Sequence, residues 1–163
     1  MATSQMPVIS GRPAPDFTLP STTGEPISLK QYKGKKTVIL YFYPKDETPG
    51  CTKEACGFRD LAAEFERFNT VILGVSRDSL KSHESFRSKQ QFPFDLLSDD
   101  AETLCTLFDV IKMKNMYGKK VRGIERSTFL IDDKGKLRQE WRKVKVDGHV
   151  DEVLAAVKAL NKS

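Results

Sequence analysis

The residues that could do chemistry in this 163-residue chain are concentrated in one short stretch, residues 43–56. Within it the hydroxyl residue Thr48 precedes Cys51 by three positions, and a second thiol, Cys56, follows five positions later. A cysteine thiolate is a strong nucleophile, and a second thiol can condense with the oxidised first one to form a disulfide. The types and spacing of these residues therefore indicate thiol redox chemistry, with Cys51 as the attacking group.

The segments on either side of this stretch predict how Cys51 is positioned. Residues 37–43 are uncharged, β-branched and aromatic, which predicts a buried β-strand. Apolar residues then recur every three or four positions across residues 55–68, which predicts a helix with one buried face. Thr48 as N-cap and Pro49 at the first helical position predict that this helix begins there. Cys51 would lie in the first turn, where unpaired N–H groups and the helix dipole stabilise an anion such as a thiolate.

The three cysteines also have non-catalytic interpretations. A lone cysteine is often a small buried apolar residue, and this alternative applies to Cys51. Cys105 lies on an apolar helical pattern between Leu104 and Leu107, so we expect it to be buried and structural; a resolving role is the alternative. Three is an odd number, which argues against a framework of structural disulfides and fits a reducing compartment.

Length, composition and charge exclude several other classes of protein. The length and the 39% apolar content predict one globular domain spanning residues 1–163. No apolar run approaches the roughly 20 residues of a membrane span, and residues 1–10 lack a secretory leader, so we expect a cytoplasmic protein without membrane contact. The net charge is +5, but basic residues alternate with acids and match no nucleic-acid motif. The basic block within residues 109–122 is predicted to be a solvated loop.

No metal or cofactor site is predicted. His83 and His149 have no second ligand at metal-binding spacing, and the cysteines do not form a Cys-x-x-Cys pair. His83 is expected at the surface and His149 at the start of the last helix. No glycine-rich phosphate-binding loop is present.

The rest of the chain predicts an α/β protein with a mixed sheet. Strand and helix signals alternate through the first two thirds, and two strands joined by residues 133–135 form an antiparallel hairpin before a final helix. Trp141 is expected to pack on the last strand. The further predicted elements are a hairpin within residues 17–28, a helical turn at 29–33, strands at 70–76, 94–97, 126–132 and 136–144, and helices at 79–91, 101–108 and 150–160.

The motif Pro44-x-x-x-Thr48-x-x-Cys51, with Glu54 three positions later, resembles the active-site signature of peroxiredoxins. Residues 41–60 resemble the peroxiredoxin Q branch, also called bacterioferritin comigratory protein. Similar segments at residues 11–19 and 123–132 extend the resemblance over nearly the whole chain. The resemblance implies a thioredoxin-like fold with an extra N-terminal hairpin, and a thiol-dependent peroxidase activity.

Peroxide reduction assigns a role to each residue around Cys51. Cys51 would attack the peroxide, and the Thr48 hydroxyl could accept a hydrogen bond from the peroxide or donate one to the sulfur. Gly50 leaves room for close backbone approach, and its N–H and that of Cys51 could stabilise charge on the leaving oxygen. Pro44 could shield the thiolate from water.

The resemblance also implies the remaining site residues. It assigns the required cation to Arg126, which sequence spacing alone could not choose among 27 basic residues. Glu54 would orient that guanidinium through a bidentate pair. Cys56 would be the resolving thiol. An ideal helix separates the Cα atoms of Cys51 and Cys56 by roughly 8.7 Å, whereas a disulfide needs about 7 Å or less, so the helix must unwind during the cycle.

The expected reaction is reduction of hydrogen peroxide and alkyl hydroperoxides by a monomer that a thioredoxin-like dithiol protein recycles. Two alternatives use the same thiols. A thiol–disulfide oxidoreductase acting on proteins would normally carry Cys-x-x-Cys, and here four residues separate Cys51 from Cys56. A redox-sensing or holdase-type module would become oxidised without consuming peroxide catalytically.

Overall fold

The structure of the protein is a computed structural model that describes residues 11–161. The predicted absence of a leader in residues 1–10 lies outside this range. The described elements are, in chain order, β1 (Thr18–Leu19), β2 (Ile27–Ser28), a 3₁₀ turn (Leu29–Tyr32), β3 (Thr37–Phe42), α1 (Pro49–Asp60), α2 (Ala62–Arg67), β4 (Thr70–Ser76), α3 (Leu80–Gln90), β5 (Asp95–Ser98), α4 (Thr103–Leu107), β6 (Ile111–Met116), β7 (Lys119–Ile124), β8 (Ser127–Ile131), β9 (Leu137–Trp141) and α5 (His149–Asn161).

A five-stranded mixed sheet in the order β5-β4-β3-β8-β9 forms the centre of the molecule. β3 and β4 are parallel, as are β4 and β5, whereas β8 runs antiparallel to both β3 and β9. β1 and β2 form the predicted antiparallel hairpin before this sheet. The predicted thioredoxin-like arrangement, a mixed sheet flanked by helices with an additional N-terminal hairpin, is confirmed.

Both faces of the sheet are covered, which explains why β3 is apolar along its whole length. Val38, Leu40 and Phe42 point into one cluster, with residues from the N-terminal hairpin and α4. Ile39 and Tyr41 point into the other, with residues from α1, α2, α3 and α5. A strand buried on both faces reads as a continuous apolar run, because both sets of alternating side chains must be buried.

The predicted loop over residues 109–122 is wrong, since β6 and β7 form an antiparallel hairpin there. Tyr117 and Gly118, at its turn, both have positive φ angles, 53° and 81°. Two successive positive φ angles are typical of the tight turns that match the twist of a β-hairpin. The high density of lysines obscured this pattern in the sequence.

Other predicted elements differ from the structure at their ends. The helix expected over residues 55–68 is interrupted at Leu61, which separates α1 from α2. The helix expected over residues 101–108 is shorter, since α4 covers only Thr103–Leu107. The strand expected to reach residue 144 ends at Trp141. Within residues 11–161 no helix has the length and apolar character needed to cross a bilayer.

Candidate active site

The start of α1 presents Cys51 as its sequence predicts. Thr48 is at the N-cap position, with extended backbone angles, and Pro49 is the first helical residue, but the Thr48 hydroxyl does not make the predicted capping hydrogen bond. The first intrahelical hydrogen bond runs from the Thr52 N–H to the Thr48 carbonyl, over 2.8 Å. The N–H groups of Gly50 and Cys51 precede this bond and lie at the positive end of the helix dipole, where they can donate to an anion.

Arg126 supplies a cation in direct contact with Cys51. The Cys51 side chain is 1% exposed, and its sulfur accepts a hydrogen bond from Nη2 of Arg126 at 3.3 Å. Arg126 directly precedes β8, whose first residue, Ser127, pairs with Phe42 at the end of β3. The antiparallel register therefore brings Arg126 to the edge of the sheet where the chain leaves β3 for α1. Electrostatic attraction at this distance stabilises a thiolate.

Glu54 holds Arg126 from the other side, but not as a bidentate partner. Nη1 of Arg126 donates to Oε1 of Glu54 at 2.6 Å, while Oε2 has no hydrogen-bond partner among the described residues. The predicted two-bond pair is therefore wrong. Glu54 is fully buried, and burial raises its pKa from 4.5 to about 7 against the opposing attraction of Arg126.

His149 is a further buried residue beside Glu54. Its Nε2 lies 2.8 Å from the Thr128 hydroxyl and 4.0 Å from Oε2 of Glu54. Burial and the nearby charge of Arg126 lower its pKa to about 4, so its imidazole is neutral at neutral pH. It begins α5, as predicted. Its proximity to Glu54 was missed, because the two residues are distant in sequence.

Thr48 and Pro44 lie in the segment that joins β3 to α1, before Cys51. The Thr48 hydroxyl donates its hydrogen to the Lys45 carbonyl at 2.9 Å. In this structure the hydroxyl hydrogen is therefore not directed at the Cys51 sulfur, which was one predicted option. Its oxygen lone pairs remain able to accept a hydrogen bond from a substrate. Pro44 is half-buried and directly follows the buried Tyr43.

Gly50 lies close to Arg126. A Cβ atom at Gly50 would lie 3.2 Å from Nη2 of Arg126, the nitrogen that contacts Cys51. This is tighter than nine in ten real Cβ contacts, so a larger residue would require the guanidinium to shift by a few tenths of an ångström. The predicted role of this glycine, close approach of its backbone, stays a prediction.

A buried hydrogen-bond network centred on Asp46 supports the loop between β3 and α1. Oδ1 of Asp46 accepts from the Tyr43 hydroxyl at 2.6 Å. Oδ2 is bonded to the Ser82 hydroxyl at 2.8 Å and to Nδ1 of His83 at 2.7 Å. Nε2 of His83 lies 2.8 Å from the Leu97 carbonyl, so both ring nitrogens face acceptors. His83 is fully buried, and its predicted place at the surface is wrong.

The same network contains the one group of three metal-ligand side chains found among residues 11–161. Ligand atoms of Asp46, Asp78 and His83 lie within 4.8 Å of one another. These atoms already serve the network: Oδ2 of Asp78 accepts from the Asp46 N–H at 2.8 Å and from the Ser76 hydroxyl at 2.5 Å. Hydrogen bonding therefore accounts for the cluster, and the absence of a metal cofactor stays a prediction.

The other two cysteines differ in their surroundings. Cys56 is half-buried on α1, and its thiol donates to Oε1 of Gln90 at 3.6 Å. Cys105 is fully buried on α4, and burial raises the pKa of its thiol far above the ordinary range. All three cysteines are free thiols. α1 is a continuous helix through Cys51 and Cys56, so the two sulfurs are held apart in this conformation.

A second cation near Cys51 comes from the β6–β7 hairpin, where a loop was predicted. Lys114 on β6 donates to the Ile124 carbonyl, two residues before Arg126. Its partial burial and the charge of Arg126 lower its pKa, while the charge on Cys51 opposes this shift. Lys114 is half-buried, whereas its neighbours Met113 and Asn115 are exposed.

Comparison with known proteins identifies the family. The chain matches the AhpC/TSA family over residues 10–140. It is 57% identical over 149 residues to the peroxiredoxin Bcp of Xanthomonas campestris, covering 90% of this chain and 92% of that protein. Identity to the Bacillus subtilis peroxiredoxin Bcp is 51% over 156 residues, covering 96% and 99%.

Solved structures agree with this assignment. The Xanthomonas campestris bacterioferritin comigratory protein, studied for its alkyl peroxide reduction activity, superimposes with a TM-score of 0.84 at 54% identity. The superposition covers 89% of this chain and 92% of that one. The chain therefore belongs to the AhpC/TSA family and is a peroxiredoxin of the Bcp or peroxiredoxin Q group, an oxidoreductase that acts as a thiol peroxidase.

Proposed function

We propose that Cys51 is the peroxidatic residue, that Cys56 resolves its sulfenic acid, and that a thioredoxin-like dithiol protein reduces the resulting disulfide. The observation that carries this proposal is the buried Cys51 sulfur in the first turn of α1, with the Arg126 guanidinium 3.3 Å away. Hydrogen peroxide and alkyl hydroperoxides are the proposed substrates. The alkyl peroxide reduction activity studied in the similar Xanthomonas protein supports the second class.

In the first step the Cys51 thiolate attacks the peroxide oxygen that carries hydrogen. An S–O bond forms while the O–O bond breaks, and the other oxygen leaves as alkoxide or hydroxide and takes up a proton. The enzyme is oxidised to a sulfenic acid and the peroxide is reduced to alcohol or water. Negative charge moves from sulfur to the leaving oxygen, so donors near both positions lower the barrier.

The side chains around the thiolate supply these interactions. Arg126 stabilises the thiolate before attack and the departing oxygen after it, and Glu54 holds the guanidinium in position. The N–H groups at the start of α1 point toward the same region. The Thr48 hydroxyl donates its hydrogen to the Lys45 carbonyl, so its oxygen lone pairs are available to accept the peroxide hydrogen. Pro44 limits access of water to the sulfur.

In the second step the Cys56 sulfur attacks the Cys51 sulfur. The S–S bond forms, the S–O bond breaks, and the hydroxide that leaves combines with the thiol proton of Cys56 to give water. Both cysteines lie on α1, so this step requires the helix to unwind between them. A reductant dithiol then attacks the disulfide through a mixed-disulfide intermediate.

The setting of the enzyme completes the proposal. We infer that residues 1–163 form one domain acting as a monomer in the cytoplasm. The odd number of cysteines argues against a structural disulfide framework and fits a reducing compartment. Cys105 takes no part in the cycle, because its buried thiol resists the ionisation that thiol exchange needs.

Coupled turnover tests the proposal. Peroxide consumption is measured with thioredoxin, thioredoxin reductase and NADPH for the wild type, Cys51→Ser and Cys56→Ser. We expect both variants to lose turnover, while Cys56→Ser still forms one sulfenic acid per chain, trapped by a dimedone-type reagent. Full turnover by Cys56→Ser would remove the resolving role from Cys56, and rapid peroxide reduction by Cys51→Ser would refute the whole assignment.

A further inference from the structure

Gln90, the last residue of α3, contacts the active-site helix at two points. Its side-chain oxygen accepts the thiol hydrogen of Cys56 at 3.6 Å. Its backbone carbonyl accepts from Nη1 of Arg59, three residues further along α1, at 3.0 Å. The end of α3 therefore holds both Cys56 and the turn that follows it.

The end of α3 is itself firmly anchored. Gln91 ends the helix with a left-handed backbone (φ 56°), and the Phe92 N–H returns to the Arg87 carbonyl at 3.1 Å. The Phe86 and Phe92 rings are buried and meet edge to face, with centroids 4.9 Å apart. Because Gln90 lies between these packed residues, it offers a fixed attachment point rather than a surface side chain that follows α1.

The contact opposes disulfide formation. Cys56 must leave its helical position to reach Cys51, and that movement breaks the hydrogen bond to Gln90. The amide of Gln90 therefore favours the folded helix, in which Cys56 cannot reach Cys51.

We propose that Gln90 is a positioning residue for the resolving step, which holds Cys56 in the folded helix and so prolongs the lifetime of the Cys51 sulfenic acid. This inference rests on the proposed roles of Cys51 and Cys56. The sulfenic acid has two fates. It condenses with Cys56 and releases water, or its sulfur attacks a second peroxide and is oxidised to a sulfinic acid while that peroxide is reduced. A slower first route gives the second route more time, so Gln90 sets the sensitivity of the enzyme to excess peroxide.

The test compares the wild type with Gln90→Ala and Gln90→Met. Methionine keeps the length of the side chain and its helix propensity but removes the amide acceptor. Ser88→Ala is the matched control, because Ser88 is an exposed polar residue one half-turn earlier on the same helix. Disulfide formation is followed by rapid mixing with peroxide, acid quenching, alkylation of free thiols and mass spectrometry.

We expect disulfide formation to become about three- to fivefold faster in both Gln90 variants. This is the rate increase expected when one weak hydrogen bond no longer stabilises the starting conformation. The peroxide concentration that converts half of the enzyme to sulfinic acid during turnover should rise by a similar factor. The second-order rate of Cys51 oxidation, which does not require unwinding, should stay within about twofold of the wild type. Ser88→Ala should match the wild type in all three measurements.

Unchanged disulfide formation and unchanged peroxide sensitivity in Gln90→Met would overturn the inference. A purely structural role predicts a different pattern, with slower Cys51 oxidation and a lower melting temperature in both variants. Cys56→Ser distinguishes failure of the inference from failure of the proposed function. If that variant still turns over through a disulfide, the resolving cysteine lies elsewhere; if it does not, and the Gln90 variants behave like wild type, only the role of Gln90 is wrong.

Discussion

Replacing Glu54 by glutamine should change how the stability of the fold depends on pH. Glu54 is fully buried, Arg126 bonds only one of its oxygens, and burial raises its pKa from 4.5 to about 7. Between these two pH values the folded chain keeps a proton that the unfolded chain has released. The free energy of unfolding therefore falls as pH rises through this window, and the stabilising contribution of the protonated carboxyl is lost above pH 7.

The size of the effect follows from the shift. A change from 4.5 to about 7 corresponds to about 3 kcal/mol, at 1.36 kcal/mol for each pH unit. The Glu54→Gln variant does not titrate at this position, so it lacks this pH-dependent loss. Its free energy of unfolding, relative to the wild type, should therefore rise by about 3 kcal/mol between pH values below 4.5 and values above 7.

His149 produces the opposite trend in an overlapping window. Burial and Arg126 lower its pKa from 6.5 to about 4. As pH falls, the unfolded chain therefore protonates this histidine at a higher pH than the folded chain does. The neutral histidine's contribution to the free energy of unfolding is fully present above pH 6.5 and is lost as pH falls toward 4. The wild-type profile combines both trends and conceals them. The difference between wild type and Glu54→Gln removes the His149 contribution, because both proteins contain it.

Urea unfolding monitored by the fluorescence of the single tryptophan, Trp141, measures this difference at a series of pH values. Glu84→Gln, which changes an exposed glutamate on α3, is the matched control and should show no such trend. A difference between wild type and Glu54→Gln that stays constant to within about 0.5 kcal/mol over the whole range would refute the reasoning. It would mean that burial does not raise the pKa of this carboxyl, which would then take up its proton in the same pH range in the folded and the unfolded chain.

Three further substitutions test other parts of the site. His83→Ala removes one of the three side-chain hydrogen-bond partners of the buried Asp46 and should cost about 1–3 kcal/mol in urea unfolding; a loss under about 0.5 kcal/mol would contradict this role. Gly50→Ala should slow Cys51 oxidation by peroxide about tenfold by displacing Arg126, without lowering the melting temperature, and an unchanged rate would contradict this. Cys105→Ala should leave coupled turnover unchanged while lowering stability by about 1 kcal/mol; lost turnover would give Cys105 a chemical role.

Local chemistry explains what the sequence alone could predict. α1 begins at Pro49, and proline at the first helical position is a signal that acts within a few residues. Thr48 has the backbone conformation of an N-cap, but its hydroxyl makes no capping hydrogen bond. β3 is apolar along its whole length because both of its faces are buried, so it could also be predicted from the sequence. The position of Cys51 in the first helical turn follows from these two features.

Contacts between distant segments explain what could not be predicted. Arg126 meets Cys51 across 75 residues, and its role was chosen by resemblance to a family because no spacing rule singles it out. His83 has the sequence neighbourhood of a surface residue, yet it is buried because Asp46, 37 residues earlier, offers a partner. Burial of a polar residue depends on such a partner, which periodicity within one helix does not reveal.

Under the proposed cycle, α1 must satisfy two opposing demands, and Glu54 lies where they meet. The helix has to be intact for the peroxidatic step, since it holds Glu54 against Arg126 while Arg126 contacts Cys51. It has to unwind for the resolving step, and unwinding between Cys51 and Cys56 necessarily disrupts the turn that contains Glu54. The disulfide form therefore cannot keep the assembled site, so peroxide attack and resolution must alternate. Unwinding also returns a buried carboxyl to water, which offsets part of the cost of breaking the helix at pH values above 7. A glutamate is thus better suited to this position than an uncharged residue that would stabilise the intact helix alone.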